Sequence, residues 1–174
     1  MASRRSGGRP LTPFRIASGR FPLLDGAGAA LVGGRWNSKG HRVIYGGLSF
    51  AGALLEQLAH AGIGQLPRDQ RWIEIHLPAG ARIDELEPHD VPGWWEPDSS
   101  AALAAGDKWF RAGRALALIV PSVVGRPVER NILINQEHPH FARVTASRPR
   151  PVIWDERLFG GAPKGPRPLK RRRR

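Results

Sequence analysis

The sequence predicts a single α+β domain, with a core of short strands flanked by helices. Three observations lead there. The stretch "RWIEIHLP" alternates polar and apolar residues with the period of a half-buried strand. "FAGALLEQLAH" and "SSAALAAGDKWFRAG" read as helices, each preceded by a capping serine and followed by glycine. Strands and helices are interleaved, without the strict alternation that builds a doubly wound sheet.

The elements run as follows. Phe14 to Ala17 in "LTPFRIAS" form an extended segment. "VGGRWNSKG" reads as turn, short strand, turn, because Gly33-Gly34 and Ser38 to Gly40 break any longer element. "RVIYGG" is β-branched, then aromatic, then broken by glycine, which makes a short strand. Ser49 caps a helix over 50–60 that Gly62 ends. In that helix Ala51, Leu54, Leu55 and Leu58 make the apolar face. Strand "RWIEIHLP" puts Trp72, Glu74 and His76 on one side and Ile73, Ile75 and Leu77 on the other, and stops at Pro78. The second helix is capped by Ser99 or Ser100. "ALALIVPS" is a buried strand ending at Pro121, and "RNILIN" and "RPVIWDERL" are the last strand candidates.

At 174 residues the chain holds enough apolar residues for one core. Its net charge of +12 suggests nucleic acid until it is mapped. Ten of the 27 basic residues and none of the 15 acidic ones lie in 1–10 and 164–174. The body, 11–163, therefore has 17 basic residues against 15 acidic ones and is nearly neutral. The expected organisation is a basic N-terminal arm (1–10), a folded domain (11–163) and a basic, disordered tail (164–174), since "GGAPKGPRPLKRRRR" has too little apolar surface to order itself. The absence of cysteine excludes disulfides, thiolate metal sites and a cysteine nucleophile, and fits a cytoplasmic protein. No stretch approaches the roughly 20 apolar residues of a membrane span. "MASRRSGGRP" lacks the apolar region of a signal peptide.

Several chemistries have no motif here. There is no Walker A loop, no G-x-G-x-x-G fingerprint and no G-x-S-x-G elbow. His138 and His140 in "HPH" lack a third metal ligand at a suitable spacing.

One stretch is dense in chemistry: "GGRWNSKGHRVIYGGLSFAGALLEQLAH", from Gly33 to His60. Read from the helix alone, Glu56 points roughly 150° from the apolar face and is a solvated glutamate beside His60. Arg35 can be a strand arginine whose stem covers the core, and Tyr45 a packed aromatic. The arrangement as a whole resembles the RES domain family. "FRIA", the 33–60 stretch, "WIEIHLP" and "LIVPSVVGRPVERNILINQEHPHF" follow one another as in that family, over about 15–145. The arginine, glutamate and serine that name the family match Arg35, Glu56 and Ser122. The tyrosine of its "VIY" segment matches Tyr45, and its "NxLIN" segment matches Asn131 to Asn135.

The resemblance implies a fold similar to the ADP-ribosyltransferases and a toxin of a bacterial toxin–antitoxin pair. It implies NAD⁺ as substrate, no metal, and an Xre-like antitoxin that blocks the active site in a hetero-oligomer. The residue types suit that chemistry. Breaking the nicotinamide–ribose bond develops positive charge on the ribose, which a carboxylate such as Glu56 opposes. Arg35, with Arg15 second, would hold the pyrophosphate. Tyr45 would stack on nicotinamide or donate to a ribose hydroxyl. Ser122 would bind the nicotinamide amide or orient Glu56, and Asn135 completes the expected substrate-binding set. The acceptor of ADP-ribose can be water, phosphate or a cellular protein. A rival reading is a non-enzymatic nucleic-acid-binding module working through the basic ends; otherwise nucleic acid is met only through the antitoxin or weakly through the tails.

Overall fold

Short strands rich in isoleucine, leucine and valine make this fold, and a gap between two of them makes its cavity. The computed structural model describes residues 3–4, 11–62 and 68–159 of the 174. Among these, nine strands form one curled sheet: β1 (Ser3–Arg4), β2 (Phe14–Ser18), β3 (Val43–Gly47), β4 (Gln70–His76), β5 (Ile83–Glu85), β6 (Ala117–Pro121), β7 (Arg130–Asn135), β8 (Thr145–Ala146) and β9 (Arg150–Pro151). The order is β1-β5-β6-β7-β3-β2-β4-β8, with β9 also on β4. Only β5 and β6 run parallel. The helices are α1 (Ala27–Val32), α2 (Phe50–Ala61) and α3 (Ser100–Ala112).

The sheet has two apolar faces. One carries Val43, Leu118, Val120 and Leu133 under Trp109 and Phe110 of α3, with Trp36 and Trp94 closing that layer. The other joins Ile44, Ile119, Ile132 and Ile134 to Ile73 and Ile75 of β4, so the sheet curls over its own second face. Strand β6 is buried at all five positions, as its unbroken apolar run requires. The alternation in β4 holds: Ile73 and Ile75 are buried while Trp72 and Glu74 are half-buried.

Between β2 and β3 the ladder nearly fails. β2 pairs with β4 at five positions but with β3 only at Phe14 and Gly47. The two strands diverge from that point, and the side chain of Arg15 enters the gap. Its guanidinium donates to the carbonyls of Tyr45 (2.9 Å) and Asp25 (3.3 Å).

Five expectations need correction. Helix α1, absent from the sequence reading, is a six-residue turn of small residues with no capping side chain, so nothing local announces it. The short strand expected in "VGGRWNSKG" is a tight turn closed by a single bridge from Gly34 to Asn37. In "RPVIWDERL" only Arg150 and Pro151 pair, and Glu156–Phe159 form a 3₁₀ turn. Ser99 precedes α3 with a left-handed backbone and no capping bond, and the carboxylate of Asp98 takes the Ser100 amide instead. Helix α2 faces inward with the side opposite to the one its leucines suggest. Gly52 and Ala53 are buried, whereas Ala51 is exposed and Leu55 is 40% exposed. The remaining α2 expectations hold: Ser49 Oγ accepts from the Gly52 amide at 2.8 Å, and Gly62 follows the last turn. Of the basic arm, Ser3 and Arg4 pair with Glu85 and Asp84 of β5. The tail 164–174 lies outside the described residues.

Candidate active site

Helix α2 turns Glu56 inward because its first turn packs small residues, Gly52 and Ala53, against the sheet where β2 and β3 part. The carboxylate meets two donors from different strands. Ser122, just past the end of β6 and 2% exposed, donates its hydroxyl to Glu56 Oε1 at 2.8 Å. Asn131, in β7, donates its amide to the same oxygen at 2.6 Å. The Ser122 hydroxyl also accepts the Gly125 amide at 3.0 Å, which fixes its orientation. Both Oε1 partners come from the scaffold, so the carboxylate is held rather than free to swing.

Arg35 stands at the tip of the 33–37 turn. Its Nη1 donates to the carbonyls of Trp94 (3.1 Å) and Glu96 (2.8 Å). Among the described residues its other guanidinium nitrogens make no hydrogen bond. The turn beneath it is braced from three sides. Tyr45 donates to Asn37 Oδ1 at 2.7 Å and accepts the Trp36 amide at 3.2 Å. Asn37, 1% exposed, donates to the carbonyls of Ala29 (3.1 Å) and Ser38 (2.9 Å). Asp107 of α3 accepts the Ser38 amide (2.8 Å), the Ser38 hydroxyl (2.5 Å) and Nδ1 of His41 (3.0 Å). Gly34 leaves the space: a Cβ there would meet Tyr45 Oη at 2.7 Å and Asn37 Oδ1 at 2.8 Å. Gly106 does the same for α3, since a Cβ there would collide with the backbone carbonyl of Trp36.

A cavity of about 400 Å³ brings these groups together, with Arg15, Arg35, Tyr45, Glu56, His60 and Asn131 on its wall. A smaller one of about 110 Å³, floored by Gly46 and Gly47, adjoins it and shares Tyr45, Glu56, His60 and Asn131. Burial pushes the Arg15 guanidinium down to about 10, against the opposing pull of Asp25. Burial also holds the Tyr45 phenol well above its usual range, and the Trp36 amide only partly offsets it.

Of the residues singled out from sequence, Arg15, Arg35, Tyr45 and Glu56 share this cavity, and Ser122 reaches it through Glu56. Asn135 does not belong. It sits at the other end of β7, opposite Val43, and its Oδ1 accepts the Glu137 amide at 2.9 Å. Tyr45 keeps its ring on the cavity wall, but its hydroxyl proton goes to Asn37, so it is not a donor for a ribose. Asn131, Asn37 and His60 went unnamed as site residues. No local signal singles out Asn131, which shares its strand with Asn135; His60 stands one helical turn past Glu56. His138 uses Nδ1 to accept the His140 amide at 3.1 Å. Among the described residues no group of three or more metal-ligating side chains forms. None of the described helices is long and apolar enough to cross a membrane.

The model of the RES domain matches residues 12–155, which include every residue of this cavity. This chain belongs to the RES domain family. Among relatives of this RES chain is the "Prs ADP-ribosylating toxin" of Sphingobium sp., 36% identical over 140 residues, 78% of this chain and 86% of that protein. The "Toxin Res" of Yersinia enterocolitica is 35% identical over 150 residues, 83% of this chain and 97% of that one. The fold is similar to that in the M. tuberculosis MbcT–MbcA toxin–antitoxin complex, with a TM-score of 0.69 at 17% identity over 83% of this chain and 85% of that chain. The expected family and the mixed α/β architecture both stand.

Proposed function

We propose that this RES protein is the toxin of a toxin–antitoxin pair and acts in the cytoplasm by cleaving the nicotinamide–ribose bond of NAD⁺. The observation that carries the reading is Glu56 held by Ser122 and Asn131 on the wall of a cavity that also presents Arg15 and Arg35. The C1′–N bond breaks and its electron pair leaves with nicotinamide. Positive charge develops on the ribose, and the fixed carboxylate opposes it. Water or phosphate then attacks C1′. Arg35, aimed by the Trp94 and Glu96 carbonyls, binds the pyrophosphate with its remaining donors. Arg15 serves as a fixed positive charge behind the backbone, because two carbonyls already occupy it. The ring of Tyr45 offers an aromatic face for nicotinamide. None of these steps asks for a metal.

A second reading is transfer of ADP-ribose to a cellular protein, favoured by the 36% identical relative named an ADP-ribosylating toxin. The partner is an Xre-like antitoxin that covers the cavity, for which the similar chain in a toxin–antitoxin complex is the support. The test is to incubate the purified protein with NAD⁺ labelled in the adenylate phosphate. Parallel reactions contain buffer, phosphate or cell extract. Nicotinamide release in buffer supports hydrolysis, ADP-ribose-1″-phosphate supports phosphorolysis, and label on one extract protein supports transfer. NAD⁺ left intact in all three reactions overturns the proposal.

A further inference from the structure

A separate cavity of about 340 Å³ lies between α3 and the segment that follows β5. One wall is α3 itself, through Ala105, Lys108, Trp109 and Ala112, which share one helical face. The other is the segment after β5, through Leu86 and Val91. Arg82 and Arg114 stand at its edge. Trp109 is 6% exposed, and its indole N–H is buried without a hydrogen-bond partner. That N–H has almost no accessible surface, so the ring lines the cavity while the N–H stays beneath its wall. The two carboxylates of the cavity are already engaged. Asp84 takes Arg82 at 2.8 Å, and Asp90 accepts the Glu87 amide at 3.0 Å. Lys108 and Arg114 form no ion pair among the described residues. The cavity thus offers an apolar body between Leu86, Val91 and the indole, with uncommitted positive charge at its edge.

The walls lead back to the Arg35 turn. The next residues of α3 grip that turn: Gly106 lies against the Trp36 carbonyl, and Asp107 holds Ser38 and His41. The segment that carries Leu86 and Val91 continues to Trp94 and Glu96, whose carbonyls hold Arg35. Both elements that position the arginine therefore line this cavity with their other side.

We propose that this cavity is a binding site for a small organic anion with a flat apolar body, and that its occupancy is transmitted to the Arg35 turn. The acidic group pairs with Lys108 and Arg114, and the apolar body lies against the Trp109 ring. The consequence for NAD⁺ affinity rests on the function proposed above; the binding itself does not.

The test uses 1-naphthoate as probe, with uncharged naphthalenemethanol as control, on the full ¹⁵N-labelled chain. The indole N–H resonance of Trp109 is assigned through Trp109→Phe. The expected result is a saturable shift of that resonance with naphthoate, at least tenfold weaker in Lys108→Ala/Arg114→Ala and at least tenfold weaker for the uncharged control. The Trp36 indole resonance is expected to move with the same midpoint. No saturable shift at Trp109, or equal affinity in the double variant, overturns the site. A Trp109 shift with Trp36 unmoved overturns the coupling. A change of threefold or more in KM for NAD⁺ at saturating naphthoate adds support; a chain that ignores NAD⁺ leaves the resonance readouts intact and fails only the earlier proposal.

Discussion

Asn131 donates its side-chain amide to Oε1 of Glu56 at 2.6 Å, from a strand 75 residues further along the chain. Ser122 donates to that same oxygen. The carboxylate is therefore gripped at one oxygen, from outside its own helix.

Glu56→Gln is the direct test of that carboxylate. The glutamine oxygen can still accept from Ser122 and Asn131, so the fold should hold and the melting temperature should stay within a few degrees. Nicotinamide release is expected to drop by about 10²–10³-fold, the usual loss for one preorganised electrostatic group. An unchanged rate would show that Glu56 is not catalytic.

Asn131→Ala and Ser122→Ala separate positioning from binding. Each leaves one donor on Glu56. A group that acts by aiming the carboxylate should lower kcat with little change in KM. About tenfold in kcat is expected for each, corresponding to about 1.4 kcal/mol. A rise in KM at constant kcat would instead mean direct substrate contact.

Tyr45→Phe removes the hydroxyl that joins Asn37 to the Trp36 amide. The buried Asn37 oxygen then loses its donor, at a cost of about 1–3 kcal/mol. In a protein of this size each kcal/mol lowers the melting temperature by about 2–4 °C. Both stability and NAD⁺ affinity should fall, because the same turn carries Arg35. Loss of activity at unchanged stability would return the hydroxyl to a role on substrate.

Asp107 sets an acid limit on stability. Burial raises its pKa, but the Ser38 hydrogen bonds and His41 outweigh that and hold it below the ordinary value. A depressed folded-state pKa contributes stability that is present above the unfolded value, about 3.9, and lost as pH falls through the folded one. Urea midpoints of the parent should drop below about pH 4 more steeply than those of Asp107→Asn. Parallel curves for the two proteins would remove Asp107 from the account.

What the sequence revealed and concealed follows from where each signal resides. Strand β4 and the buried β6 were legible because alternation and unbroken apolar runs are local patterns. Ser49 was legible because a cap needs only its own helix. Arg35, Glu56, Tyr45 and Ser122 were named through a resemblance spread over four segments. Residue patterns within α2 alone would have turned Glu56 outward, since its leucines suggest the opposite face. The sequence reading names Asn135, and nothing local separates it from Asn131 on the same face of one strand. Only the pairing of Asn131 with Gly47, beside α2, decides which reaches the carboxylate. The role of Arg15 was hidden for a similar reason: it depends on β2 and β3 parting after one pair.

That parting sets what mutagenesis can do to this protein. The cavity exists because two neighbouring strands are not zipped together, and a guanidinium props the opening against the carbonyl of Tyr45. Truncating any wall side chain other than the Arg15 prop only widens the space. Abolishing it would require closing the seam itself, which none of those shortened residues can do. Loss of function through the wall residues should accordingly appear as altered chemistry inside a persistent cleft. An occlusion that keeps the fold must come from a group inserted into the opening.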